Sequence, residues 1–429
     1  MTTVSPSQTI TAGERELLDY VDAHEGRLVK LLRTLVAFRT PNPPGGNELE
    51  AQAWVAARLQ ELGLAVDRWD VLPGRPNVVG RLHGLGGGPT VVLNGHIDVC
   101  ADVLLDRWTS DPYDAVVDGR DLIGRGASDM KSAIASFLFA LEALRACAVR
   151  LAGDVLVQSV VGEEAGEPGT RSAIERGHVG DVAVVGESSL GRALVACVGV
   201  TNCRIVVQSP ETLHLAARKL TMNAGGALEG ANCVEKMALR VLPALTELER
   251  EWAVFKSHRL IPPGSANINV FRIEGGSNPF ILPDRCVAYA TVTYYPNERP
   301  EVVQREVEER IAAAAATDRW LARHPPTVEW SPAEYPVEFA AADFDPEGEA
   351  AQALAQAIRD ARGLEPVWGG RSGITDAGWF SRAGIPAIVF GPGDMRFAHA
   401  VDERVHLDDV VGHCKATALF LLRYCGTPG

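Results

Sequence analysis

In VVLNGHIDVC, residues 91–100, an apolar β-rich run ends on a histidine and an aspartate two apart. A short apolar run of this kind reads as a buried strand, and strands buried on both faces belong to a parallel sheet covered by helices. In open sheets of that type, ligands bind beyond the carboxyl ends of the strands. His96 and Asp98 stand at such an end. They are either residues of a solvated loop or a metal ligand with the partner that orients it, and one pair does not decide.

Working outward, residues 13–38 predict a helix with Leu28, Leu31, Leu32, Leu35 and Val36 on one face, ended by TPNPPGG. ELEAQAWVAARLQELGL predicts a second helix, closed by Gly63, and NVVGRL a strand before the turn HGLGGG. Downstream, KSAIASFLFALEALRA predicts a strongly apolar helix, and DVLVQSVVG and DVAVVG predict strands around a helical TRSAIERG. Strand and helix thus alternate to about residue 195, as in an α/β domain with a mostly parallel sheet. The pattern then changes. TNCRIVVQS predicts a strand and GANCVEKMALRVLPALTELEREW a long helix. ANINVFRIEGG and RCVAYATVTYY alternate like two antiparallel strands, followed by the helix PEVVQREVEERIAAAAA and the strand TVEWSP. The order β-α-β-β-α-β is the split βαβ, ferredoxin-like arrangement. It predicts an inserted α+β domain over 196–332. EGEAAQALAQAIRDA and IPAIVFGPG restore the first pattern, so the α/β domain is discontinuous, 1–195 and 333–429.

The composition, 46% apolar and 22% charged over 429 residues, is that of a globular protein with more than one core. A net charge of -14 repels phosphate backbones, which argues against nucleic acid as a partner. No unbroken apolar stretch is long enough for a membrane span, and the first residues carry no basic segment of a secretory signal. Eight cysteines, Cys100 among them, are scattered without a C-x-x-C pair, which predicts reduced core residues and a cytoplasmic location.

Other strand ends carry ionisable groups too. Glu163 and Glu164 follow VLVQSVVG, Glu187 follows DVAVVG, and His399 lies in the loop after IPAIVFGPG. Asp129, in GRGASDMK, precedes the apolar helix, where an aspartate alone reads equally well as an N-cap. Acidic groups crowded at one sheet edge repel unless cations offset them. Histidines mixed with carboxylates suit zinc, cobalt or manganese better than calcium.

The chain resembles the M20 metallopeptidase and amidohydrolase family, near acetylornithine deacetylase and succinyl-diaminopimelate desuccinylase. The segments that carry the resemblance are LNGHIDV, GRGASDMK, VGEEAGEPGT, VGES, GANCVEKM, EGGSNPFILPD and GITDAGWFSRAGIPAIVFGPGD with the following AHAVDERV. The resemblance implies two divalent ions, zinc foremost, with cobalt or manganese as alternatives. His96 and Glu187 would hold one, Glu164 and His399 the other, and Asp129 would bridge them through a residue joined to Met130 by a cis peptide. Asp98 would accept from the ring N–H of His96, and Glu163 would act as general base. It also implies a homodimer formed through the inserted domain, a hinge that closes on a small-molecule substrate, and His214 reaching the partner's site as an oxyanion donor.

The match weakens where the family often carries a carboxylate-gripping arginine: here Thr293, Tyr294 and Tyr295 occupy that neighbourhood. Arg371 is a candidate replacement, with Asn267 and Asn269 as further substrate contacts. The expected reaction is hydrolysis of the amide C–N bond of an N-acyl amino acid or related small amide. The alternatives are an aminohydrolase for an aromatic amine, a small-peptide hydrolase, or a catalytically silent binding protein of the same fold. The last would have lost a ligand or the base, and none is missing. No G-x-S-x-G elbow and no G-x-G-x-x-G turn argue for serine or dinucleotide chemistry.

Overall fold

The computed structural model describes residues 10–166 and 168–427. The labelled strands of the first sheet begin with β1 (Ala65–Leu72), β2 (Arg75–Leu82), β3 (Val91–His96), β4 (Val155–Val160), β5 (Val182–Val185) and β6 (Ala193–Cys197), with shorter strands such as Pro41–Asn42 and Val99–Cys100 left unlabelled. Four follow: β7 (Gly199–Gln208), β8 (Asn267–Gly275), β9 (Arg285–Tyr294) and β10 (Thr327–Trp330). β11 (Ala387–Val389) is the last of the labelled strands, and the short strand Arg404–His406 follows it. The chain divides into two compact units, one of residues 1–195, 343–369 and 375–429, the other of 196–342 and 370–374.

In the first unit the strand order is β6-β11-β5-β3-β4-β2-β1, and two short strands beside β6 make nine. The sheet is mixed rather than mostly parallel. β11, β5, β3 and β4 run parallel, whereas β6 joins β11, β2 joins β4, and β1 joins β2 antiparallel. At one edge β1 and β2 form a tight hairpin turning at Gly74, and β2 lies beside β4. The four parallel strands are the ones that matter for the site, since their carboxyl ends share one edge.

Burial follows from composition. The helix Lys131–Ala146 is buried from Lys131 to Leu144, as a helix apolar all round must be. It packs on β3 and on the helix Leu407–Tyr424. The single helix predicted over 13–38 is instead two, Ala12–Ala23 and Glu25–Ala37. His24 breaks it, with its ring Nδ1 2.8 Å from the Tyr20 carbonyl oxygen.

In the second unit β8-β9-β7-β10 form an antiparallel sheet in that order. Val241, Leu245, Leu248 and Trp252 of one helical segment, and Val303, Val307 and Ile311 of the helix Pro300–Ala316, join one core with Ile205, Ile268, Ala290 and Val292 of the strands. The first of these segments carries a π-helical turn, Met237–Val241, ahead of Leu242–Phe255, where Pro243 offers no backbone N–H. The predicted boundary at 332 falls short. The strand Glu338–Phe339 pairs with β7, and the Gly370 N–H donates to the Leu260 carbonyl, so 333–342 and 370–374 group with this unit.

Candidate metal centre

β3 runs straight into His96, and β4 and β5 bring Glu163, Glu164 and Glu187 to the same edge within a few residues of their ends. Local backbone explains the glycines. Gly162 has φ 91°, which turns the chain out of β4 and into the carboxylate pair. A Cβ on Gly186 would lie 2.4 Å from the Ala133 Cβ, so only glycine lets Glu187 sit this close to the helix Lys131–Ala146. His399 arrives from the loop after β11 with φ 61°, a conformation a non-glycine residue holds only when its surroundings demand it.

The Asp129 carboxylate lies between the two histidines. Its Oδ1 is 3.1 Å from His96 Nε2 and its Oδ2 3.4 Å from His399 Nε2. His96 Nε2 is also 3.6 Å from Glu187 Oε1, and His399 Nε2 is 2.9 Å from Glu164 Oε2. Two groups of donors result: His96, Asp129 and Glu187, all buried, and Cys100, Glu164 and His399, each set with its ligand atoms within 4.8 Å of one another. The Asp129–Met130 peptide is cis. Asp129 is no helix cap, because the N-cap of the following helix is Met130.

Asp98 is placed differently from the expectation. The His96 ring donates from Nδ1 to the Asp98 backbone carbonyl at 2.9 Å, while the carboxylate stands 3.9 Å away. That carboxylate instead accepts from the Gly162 N–H at 2.9 Å, the Glu164 N–H at 3.3 Å and Asn42 Nδ2 at 3.0 Å. The carbonyl still fixes the ring tautomer and leaves the Nε2 lone pair facing the carboxylates, as ligation requires. The side chain holds the Glu163–Glu164 turn.

Charge in this cluster is finely opposed. Burial works against ionisation of Asp129, but His399 and His96 outweigh it and hold the carboxyl well below the usual range. Burial likewise opposes protonation of His96, and Asp129 and Glu187 push it well above its ordinary value regardless. Hydrogen bonds to Asp129 and Glu164 take His399 up to about 11. Burial raises Glu164 to about 7, and burial followed by the charge of Glu187 raises Glu163 well above the carboxylate range. Carboxylates that draw protons onto two imidazoles so strongly form a site for positive charge, and divalent cations compete with protons for such donors. Glu164 adds a sign of its own: its side chain is 4% exposed, and its Oε1 is buried with no hydrogen-bond partner among the described residues. The donor set fits two divalent cations.

Several residues that support this centre escaped sequence reading. Buried Glu403 accepts the backbone N–H groups of Ser128 and Asp129 at 2.9 and 3.0 Å and pairs with buried Arg125 at 2.7 Å. Its signal was its place four residues after His399. Asp376 is buried, its carboxyl raised to about 7 by burial against a Thr170 hydrogen bond. Cys100, read as a core residue, is half-buried and belongs to the second donor group. The other candidates lie in the second unit. Asn267 and Asn269 are on β8, in register with Thr293 and Thr291 of β9. Arg371 ends the strand Trp368–Arg371. His214 is exposed, and its Nδ1 accepts the Ala216 N–H at 3.1 Å, so a neutral ring carries its proton on Nε2.

The sequence model for peptidase family M20/M25/M40 matches residues 92–423. The chain belongs to this family. It is a metal-dependent hydrolase of an amide C–N bond. It is 39% identical over 416 residues to N-formyl-4-amino-5-aminomethyl-2-methylpyrimidine deformylase of Halalkalibacterium halodurans, covering 96% of this chain and 97% of that protein. It is 36% identical to the Bacillus subtilis deformylase of the same name, covering 94% and 96%. Among solved structures, the fold matches the di-peptidase Dug1p of Saccharomyces cerevisiae with a TM-score of 0.73 at 15% identity, covering 97% and 99%. It also matches a dinuclear metal-binding M20 peptidase of Bacillus subtilis, with a TM-score of 0.64 at 18% identity, covering 93% and 98%. No helix among the described residues is long and apolar enough to cross a membrane.

Proposed function

We propose that the chain removes the formyl group from an N-formylated aminopyrimidine, releasing formate and the free amine. The observation that carries this reading is identity of 39% and 36% to two deformylases along nearly the whole of each chain. The binding side is consistent with it. Where relatives of the amino-acid type grip a carboxylate, Tyr294 and Tyr295 are buried, and the Tyr295 hydroxyl donates to the Pro262 carbonyl at 3.0 Å and accepts the Ser265 N–H at 3.1 Å. A formylated aminopyrimidine has no carboxylate to grip. Asn267 and Asn269, two apart on one strand face, offer amides that both donate and accept, the match for a ring nitrogen beside an exocyclic amine. Arg371 is a third candidate contact.

When bound, divalent cations lower the pKa of water and polarise a carbonyl. His96, Asp129 and Glu187 would hold one, Glu164, His399 and the same Asp129 the other. Zinc fits the donors best, with cobalt or manganese close behind. Glu163, beside Glu164 just beyond the end of β4, would act as the base once bound cations offset the negative charge around it, accepting the proton of the attacking water and delivering it to the departing nitrogen. His214, with its proton on Nε2, donates to the carbonyl oxygen as it gains charge.

The second unit is proposed as the lid and dimerisation element. Its edge strand β8 exposes Phe271 and Ile273, an unpaired template for a second copy. Eight cysteines, all free, support a reducing, cytoplasmic setting.

The test is a comparison of kcat/KM for N-formyl-4-amino-5-aminomethyl-2-methylpyrimidine, N-acetyl and N-succinyl amino acids, and dipeptides, with zinc, cobalt and manganese added separately. A preference of about 100-fold or more for the formylpyrimidine is expected. Faster turnover of a succinyl or dipeptide substrate overturns the assignment.

A further inference from the structure

We propose that Cys100 is a thiolate ligand to the cation held by Glu164 and His399, which makes the two halves of the metal centre chemically unequal. This rests on the two-ion reading above and deepens it.

The two donor groups are built alike. One has a histidine, a carboxylate and the shared Asp129. The other has a histidine, a carboxylate and the Cys100 sulfur, with ligand atoms within 4.8 Å of one another. A second observation points independently to a cation there. The Glu164 side chain is 4% exposed, one oxygen bonds His399, and Oε1 is buried without a hydrogen-bond partner among the described residues. An acceptor left in that condition carries a desolvation cost that a bound cation removes. Nor is the thiol on a loose loop. Val99–Cys100 pairs in parallel with Pro41–Asn42, Asn42 opposite Cys100, and the Asn42 side chain bonds Asp98. Among the described residues, no other cysteine falls in a group that could hold a metal ion.

On binding, the S–H bond breaks and the proton leaves to solvent. The sulfur lone pair forms the bond to the cation, and no oxidation state changes. A sulfur donor favours zinc and cadmium over manganese, while the His96 half, with nitrogen and oxygen only, does not discriminate in that way. The inference is therefore one of metal selectivity: a thiophilic ion at the Glu164–His399 position and a more permissive partner position.

Full-length protein stripped with a chelator and reloaded with cobalt should show a sulfur-to-cobalt charge-transfer band in the near ultraviolet. The band should vanish in Cys100→Val and persist in Cys147→Ser. Cadmium affinity should fall roughly tenfold or more in Cys100→Val, with manganese affinity changed less than about threefold. Zinc-edge X-ray absorption of the unaltered protein needs no variant, and a sulfur shell near about 2.3 Å is expected. Two cobalt ions per chain with superimposable spectra in both proteins, or a zinc shell of nitrogen and oxygen alone, overturns thiolate ligation and leaves the two-ion centre standing. Protein that holds no cobalt at all overturns both.

Discussion

Glu163 and Glu164 are adjacent in the chain and differ in what faces them. Glu164 meets His399 at 2.9 Å, whereas Glu163 is held toward the protonated form by burial first and the charge of Glu187 second, with His96 opposing them. One is therefore suited to hold a cation and the other to hold a proton. Glu163→Gln keeps the shape and removes the proton acceptor. It should lower kcat roughly 100- to 10,000-fold while elemental analysis finds the metal content of the unaltered protein. Near-normal turnover, or loss of metal with activity, would show that Glu163 is not the base. Gly186 supports a different kind of expectation. A Cβ there meets the Ala133 Cβ at 2.4 Å and the Met130 Cε at 2.8 Å, and Ala133 sits in the buried stretch of its helix, Lys131 to Leu144. Gly186→Ala should cost about 1–3 kcal/mol of stability, read as a lower denaturation midpoint. An unchanged midpoint would mean that the start of that helix moves freely, and with it Asp129.

Elements were legible where their burial was one-sided or complete. The apolar runs of β3, β4 and β5 and the helix Lys131–Ala146 announce themselves because every face is buried. β1 did not, since its eight residues are all exposed or half-buried and alternate polar with apolar over only part of their length. Its strand character comes from pairing with β2, a tertiary fact. The C-terminal helix Leu407–Tyr424 hides a further consequence in His413. That ring is buried between Phe137 and Phe390, with Nε2 3.1 Å from the Phe390 carbonyl and no hydrogen-bond partner for Nδ1 among the described residues. Burial pushes it down to about 3. An unfolded histidine protonates near about 6.5, so between these values the unfolded chain binds the additional proton. Stability from this group is complete above about 6.5 and is lost as pH falls toward 3, by roughly 5 kcal/mol across the window. His413→Phe should be less stable than the unaltered protein at pH 7, and the gap between their thermal midpoints should narrow steadily on acidification to pH 4. Parallel acid limbs in the two proteins would rule His413 out as a source of acid sensitivity.

At the scale of the molecule, the candidate ligands could be read because His96, Glu164, Glu187 and His399 follow apolar strands and Asp129 precedes an apolar helix, each within a short motif, while their supports could not. Glu403 bonds the Asp129 backbone across 274 residues of sequence, and Arg125 acquires its purpose only from Glu403. Cys100 looked like packing because its sequence neighbours are apolar, and only the spatial approach of Glu164 and His399 gives it another reading. The same limit applies to assembly. Glu163 belongs to the first compact unit and His214 to the second, and the proposed site pairs a His214 with a Glu163 either within one chain or across two. The proposed dimer makes this decidable. If His214 acts in the partner's site, a heterodimer of one Glu163→Ala chain and one His214→Ala chain has one site with both defects and one with neither. Equal mixing gives half heterodimers, so about a quarter of unaltered activity should return, from two parents that are each nearly inactive. If His214 serves its own chain, every site in the mixture keeps one defect and activity stays at the parental level. Sedimentation of the mixture fixes the interpretation. Recovery in a dimer establishes sharing, no recovery in a dimer places His214 in its own chain's site, and a monomer removes the proposed role of β8 as well.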